Sequence, residues 1–69
     1  MIGSAAGRVV EFDEHRGLGR IEASDGSTYS FHCTQIADGT RTIAIGTEVA
    51  FVIVAGPLGH FEASAITPR

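Results

Sequence analysis

The stretch RGLGRIEASDGSTYSFHC (Arg16–Cys33) decides how this chain is read. Asp25-Gly26 stands between two strand-like segments, LGRIEAS (Leu18–Ser24) and STYSFHC (Ser27–Cys33). An Asp-Gly pair in that setting is a strong hairpin signal, because both central residues of a type I′ turn need positive φ. Gly17 and Gly19 have two readings. They shape a tight turn and a sharply coiled strand, or they let a ligand approach bare backbone. The first is the simpler, since it holds whether or not anything binds.

Outward from this hairpin, GRVVEFD (Gly7–Asp13) reads as a first strand and EHRG (Glu14–Gly17) as the turn that follows it. TEVAFVIV (Thr47–Val54) is the clearest strand, with Val49, Phe51 and Ile53 alternating onto one face. AGPLG (Ala55–Gly59) is a glycine/proline turn, and HFEASAI (His60–Ile66) a weaker last strand. Strands are therefore expected near residues 7–13, 18–24, 28–33, 47–54 and 60–67. Thr34–Gly46 is a long connection in which TQI forms one helical turn and ADGTRT a loop.

Five short strands with the long connection between the third and fourth point to an all-β, five-stranded antiparallel Greek-key barrel of the OB type. Its core is expected to hold Val9, Ile21, Val49, Phe51 and Ile53. The 69 residues make a single domain, 1–69. With one cysteine, Cys33, no disulfide inside the chain can staple it, and stability must come from that apolar core. Alternation does not settle the side of Phe12, because Val9, Val10 and Phe12 cannot all face one way without a bulge.

The formal charge is −3 and the sequence pI about 5.4, with five arginines and no lysine. That excludes a protein held to phosphates by net charge alone. Stacking on aromatics remains open to it. No apolar run is long enough to span a membrane, so no membrane partner and a cytoplasmic location are expected.

Over nearly its whole length the chain resembles the cold-shock domain family. GRVVEFD resembles the family's opening Gly-x-Val-Lys-Trp-Phe-Asn. RGLGRI is similar to its first ribonucleoprotein motif, Lys-Gly-Phe-Gly-Phe-Ile, and YSFHCTQI to its second, Val-Phe-Val-His-Phe-Ser-x-Ile. IGTEVAFVI resembles the Gly-Gln-x-Val-x-Phe-x-Ile strand, and GPLG stands at the last glycine-rich turn. The resemblance implies a five-stranded OB barrel and an ancestry of single-stranded RNA or DNA binding.

The departures fall on one function. Glu11 stands at the family's exposed tryptophan, Leu18 and Arg20 at the phenylalanines of the first motif, and Ser30 and Cys33 at those of the second. Thr40 replaces a loop aromatic. Stacking contributes roughly 1–3 kcal/mol per base, so losing four or five platforms removes on the order of 5–10 kcal/mol if effects add. A micromolar complex amounts to only about −8 kcal/mol. Binding of single-stranded RNA or DNA is therefore expected to be weak. The resemblance leaves Phe12, Arg16, His32 and Arg41 as contacts, and Arg20 joins them as a replacement that compensates in part. Arg20 can stack its guanidinium on a base, whereas Glu11 repels phosphate.

Each has a plainer reading beside it. His32 is a base contact or a rim histidine without a ligand. Phe12 belongs to the core or to the platform edge, with the core favoured. His15, His32, Cys33 and His60 lack metal-ligand spacing, and neighbouring strand residues face opposite ways, so no metal or cofactor is expected. No nucleophile is matched to a base, so the chain reads as a binding protein and not an enzyme. The alternative is a protein-interaction or self-associating module that has kept the fold and lost nucleic-acid binding. Ala50, Val52 and Val54 would point outward from the fourth strand, covered either by the Thr34–Gly46 connection or by a second copy in a homodimer.

Overall fold

The computed structural model describes residues 3–56 and 59–69. Five strands form a closed barrel: β1 (Gly3–Asp13), β2 (Leu18–Ala23), β3 (Thr28–His32), β4 (Glu48–Ala55) and β5 (Phe61–Pro68). Around the barrel their order is β1-β2-β3-β5-β4, with β4 closing onto β1. All pairs are antiparallel except β3 with β5. The expectation of a wholly antiparallel barrel is corrected at this seam, and the reason is counting. Strand directions cannot alternate all the way round a closed ring with an odd number of strands, so one neighbouring pair must run parallel.

β1 begins earlier than the sequence reading placed it. Gly3–Arg8 pairs with β4, while Gly7–Asp13 pairs with β2, so one strand serves two partners. The missed part, Gly3-Ser4-Ala5-Ala6, consists of residues with little intrinsic preference for strand, and only its place beside β4 recruits it. β1 carries a bulge. Val9 lies opposite Ile21 and Glu11 opposite Arg20, which leaves Val10 as the extra residue.

The β2–β3 hairpin is real, but its turn is not type I′. Gly26 has φ 90°, whereas Asp25 does not take a positive φ. Ala23 N–H bonds Ser27 O at 2.7 Å and Gly26 N–H bonds Ala23 O at 2.9 Å. The loop is thus Ser24-Asp25-Gly26, a turn closed by a left-handed glycine. Asp25 Oδ1 accepts from Ser27 N–H at 2.9 Å and fixes the exit.

Val9, Ile21, Val49 and Ile66 are completely buried, and Phe31, Phe51, Cys33, Ile36, Ala23 and Ala63 complete the core. Each fully buried valine or isoleucine contributes about 1.5–3 kcal/mol relative to exposure. Ile53, expected in the core, is only half-buried. Its strand neighbours are Gly3 and Ala63, too small to cover it.

The connection opens with a single 3-10 turn, Cys33–Gln35, close to the helical turn expected at TQI. Ile36 then drops into the core and bridges Ile66 in parallel. The glycine/proline turn read at Ala55–Gly59 centres on residues 57 and 58, outside the described residues. Among the described residues no helix is long and apolar enough to cross a membrane.

Candidate nucleic-acid interface

Strand alternation and register build two rows on the outer face of β1, β2 and β3. One row is Asp13, Leu18 and His32, and the next is Glu11, Arg20 and Ser30. The parallel seam extends the second row to Glu62 on β5. All except half-buried Glu62 are exposed, Leu18 at 46% despite its apolar side chain.

The centre of this face is an ion pair. Arg20 Nη2 donates to Glu11 Oε2 at 2.6 Å. The bulge at Val10 sets the register that brings the two opposite one another. Both side chains are half or more exposed, so the pair adds about 0–1 kcal/mol to stability. Its greater effect is on binding: the guanidinium best placed to stack on a base is already engaged.

His32 is also exposed, and its orientation is fixed from its own chain. Thr34 N–H donates to His32 Nδ1 at 3.3 Å, and Thr34 Oγ1 lies 3.0 Å from the same nitrogen. A ring whose Nδ1 accepts a backbone N–H carries its proton on Nε2. His32 therefore caps the 3-10 turn with one nitrogen and keeps an N–H donor on the other.

Arg16 sits in the turn between β1 and β2. Asp13 shapes that turn, its Oδ1 accepting from His15 N–H at 3.0 Å and Arg16 N–H at 3.2 Å. Arg16 Nε lies 3.9 Å from Asp13 Oδ2, with its side chain 75% exposed. Arg41, on the long connection, lines a depression of about 190 Å³ with Cys33, Thr34 and Thr40. The loop beside it is tied: Asp38 Oδ1 accepts from Thr40 Oγ1 at 2.7 Å and Thr40 N–H at 3.0 Å. Those bonds hold the Asp38 carboxyl below its ordinary pKa.

Phe12 is half-buried and faces the core. Its ring stacks on Phe31, with centroids 6.0 Å apart and planes 11° from parallel. Phe12 also lines a separate depression of about 750 Å³ with Glu11, Asp13, Ile43 and Ile45. Phe12 therefore supports the face from beneath.

Both glycines of the hairpin have structural work. Gly17 has φ 68°, and a Cβ there would sit 2.8 Å from Cys33 Sγ. A Cβ on Gly19 would lie 2.4 Å from Phe31 Cζ. The missing side chain at Gly19 is what allows Phe31 to lie across β2. Cys33, aligned by resemblance with a stacking phenylalanine, is buried and belongs to the core. His32 and Cys33 point to opposite sides of the wall. Among the described residues no group of three His, Cys, Asp or Glu could hold a metal ion.

The structure thus brings Arg20 and His32 to adjacent rows of one face, sets Arg16 in the turn beside Asp13, leaves Arg41 in a depression of its own with Thr34, and places Phe12 behind the face. Five residues of the face were not singled out as contacts in the sequence: Glu11, Asp13, Leu18, Ser30 and Glu62. Leu18 and Ser30 were signalled by their places in the two motifs. Glu62 carried no signal, because only the parallel seam puts it beside Ser30.

No protein-family model matches the chain. It is 34% identical over 70 residues to cold shock-like protein CspD of Vibrio cholerae, covering 99% of this chain and 91% of the relative. It is 38% identical over 61 residues to cold shock protein CspB of Bacillus caldolyticus, covering 87% of this chain and 92% of the relative. Among solved structures, drosophila Unr CSD456 superposes with a TM-score of 0.80 at 23% identity, a likeness of fold. That match covers 99% of this chain and 27% of the other.

Proposed function

The chain belongs to the cold-shock protein family, and on that premise we propose that it binds single-stranded RNA or DNA weakly through the outer face of β1, β2 and β3. Arg20, His32, Arg16 and Arg41 are the contacts, and Phe12 is the packed floor behind them. One observation carries the reading. Leu18 and His32 are cross-strand neighbours, both exposed, and together offer a base one apolar surface and one ring. A cytoplasmic site of action fits the free thiol of Cys33, since disulfides are rare in that compartment.

Weakness follows from the same face. Glu11 and Asp13 set two carboxylates against the guanidiniums of Arg20 and Arg16. A base stacking on Arg20 competes with Glu11. Titration of labelled heptameric DNA and RNA at low and physiological salt tests the proposal. The expected dissociation constant is weaker than roughly 10 μM at physiological salt, with tighter binding at low salt. Sub-micromolar binding at physiological salt would refute the weak reading, and no binding at low salt would refute nucleic acid altogether.

Self-association is the second reading, favoured by one observation. A shallow depression of about 310 Å³ on the far wall is lined by Ser4, Ala5, Ala50, Phe51, Val52, Ala65 and Thr67, with no residue of the long connection among them. Gln35 accepts a hydrogen bond from Ser64 at 2.6 Å, and the connection's Ile43 packs on the core elsewhere. The occupant of this reading is a second copy of the chain, seated on Ala50, Val52 and Val54. Val52 and Val54 are already half-buried by their neighbours, which limits the area such a dimer can gain.

A further inference from the structure

We propose that the Glu11–Arg20 pair reads the Watson–Crick edge of a guanine, making this a guanine-selective site; the inference rests on the nucleic-acid reading above. The contact at 2.6 Å uses one carboxylate oxygen and one guanidinium nitrogen. Both side chains are open to solvent beyond that contact, with exposures of 64% for Glu11 and 50% for Arg20. Read across the pair, the groups run donor, acceptor, acceptor: an N–H of Arg20, then the two oxygens of Glu11.

Guanine is the base whose edge is complementary to that order. Its O6 accepts, and its N1–H and N2–H₂ both donate. Uracil and thymine place acceptors on either side of one N–H, so one of them meets a carboxylate oxygen. Cytosine and adenine each set a ring acceptor beside their amino group. Edges of unpaired bases are open to reading of this kind in single strands.

The register supplies the place for the base. Leu18 lies two residues from Arg20 on β2, opposite His32 on β3 and opposite Asp13 on β1. A base lying flat on Leu18 and His32 turns an edge toward the Glu11–Arg20 row, ~7 Å away along the strand. Glu11 repels phosphate and any base edge that presents an acceptor. The same residue that weakens binding in general therefore favours the base that donates to it twice.

The test is a fluorescence-anisotropy titration at low salt with heptameric uridine strands carrying a central guanosine, inosine, adenosine, cytidine or uridine. The guanosine strand is expected to bind roughly tenfold tighter than the adenosine or uridine strand. Inosine, which lacks the N2 amino group, should fall between them. Glu11→Gln should bring the ratio close to one while leaving the other strands bound at least as well as before. Equal binding of all strands by the unaltered protein overturns the guanine inference and leaves the nucleic-acid reading standing. So does a guanosine preference that survives Glu11→Gln. Failure of every strand to bind refutes the nucleic-acid reading and the guanine inference with it.

Discussion

Arg20 and Glu11 face each other across β1 and β2 and share a hydrogen bond of 2.6 Å, on positions where relatives of this fold are expected to carry aromatic rings. The two replacements compensate for each other. Glu11 alone would leave an unpaired carboxylate on a binding face, and Arg20 alone a free guanidinium on it. Together they form a neutral patch whose affinity for bare phosphate is low.

Replacing the pair together is the cleanest gain-of-function test. Glu11→Trp with Arg20→Phe removes both charges and leaves neither partner orphaned. Two restored stacking surfaces contribute about 1–3 kcal/mol each, so heptamer affinity should rise by roughly two tenfold steps or more. Anisotropy titration at physiological salt reads the change. An unchanged affinity would mean that the face is closed to bases for reasons beyond these two side chains.

Gly19→Ala tests the structural role of the glycine. Its Cβ would lie 2.4 Å from Phe31 Cζ and 2.9 Å from Glu11 O. The Phe31 ring must move, and its stacking on Phe12 is disturbed. Overpacking of this kind costs about 1–3 kcal/mol. Thermal unfolding should show a clearly lowered Tm; an unaltered Tm would show that the wall has room the distances deny.

Val52→Lys separates the possible fates of the far wall. If two copies meet there, the apparent mass in solution falls while the barrel stays folded. If Val52 is covered only within one chain, Tm falls and the mass is constant. Analytical ultracentrifugation with a parallel melting curve distinguishes them. No change in either quantity removes the support for self-association.

The acid limb of stability should carry the mark of two turns. Hydrogen bonds from Ser27 hold the Asp25 carboxyl below its ordinary pKa, and those from Thr40 do the same for Asp38. A depressed folded-state pKa means stability that is present above the unfolded-state value and lost as pH falls through the folded one. Asp25→Asn keeps an acceptor for Ser27 N–H but cannot titrate. Melting curves from pH 6 down to about pH 2 should therefore fall less steeply for this variant. Parallel curves would show that the turn does not contribute to the acid limb.

The hairpin and core were legible because each is local or periodic. Gly17, Gly19 and Gly26 stand where backbone geometry needs them, and Val49 and Phe51 follow strict alternation into the core. What escaped the sequence depends on contacts distant along the chain. Gly3–Ala6 is strand only because β4 lies beside it. Ile53 is half-exposed because Gly3 happens to be its neighbour. Each member of the Glu11–Arg20 pair was visible as a lost aromatic, but their meeting depends on where the β1 bulge falls. A bulge at another residue would have shifted every partner by one and separated them.

The parallel seam has a kinetic corollary. Hairpin β1–β2–β3 joins segments close in sequence, and such contacts form early in folding. The seam waits for residues 61–68 to return across the long connection. There, among the described residues, Ser30 opposite Glu62 is the only strand pairing, helped by the Ile36–Ile66 bridge and the 2.8 Å bond from Ala37 N–H to Ile66 O. Brief native-state openings should begin along this line, so amide exchange near Ala37 and Glu62 should outpace exchange within β1 and β2. Ile36 and Ile66, buried where they bridge in the closed ring, are the apolar side chains that an opening along this line would uncover.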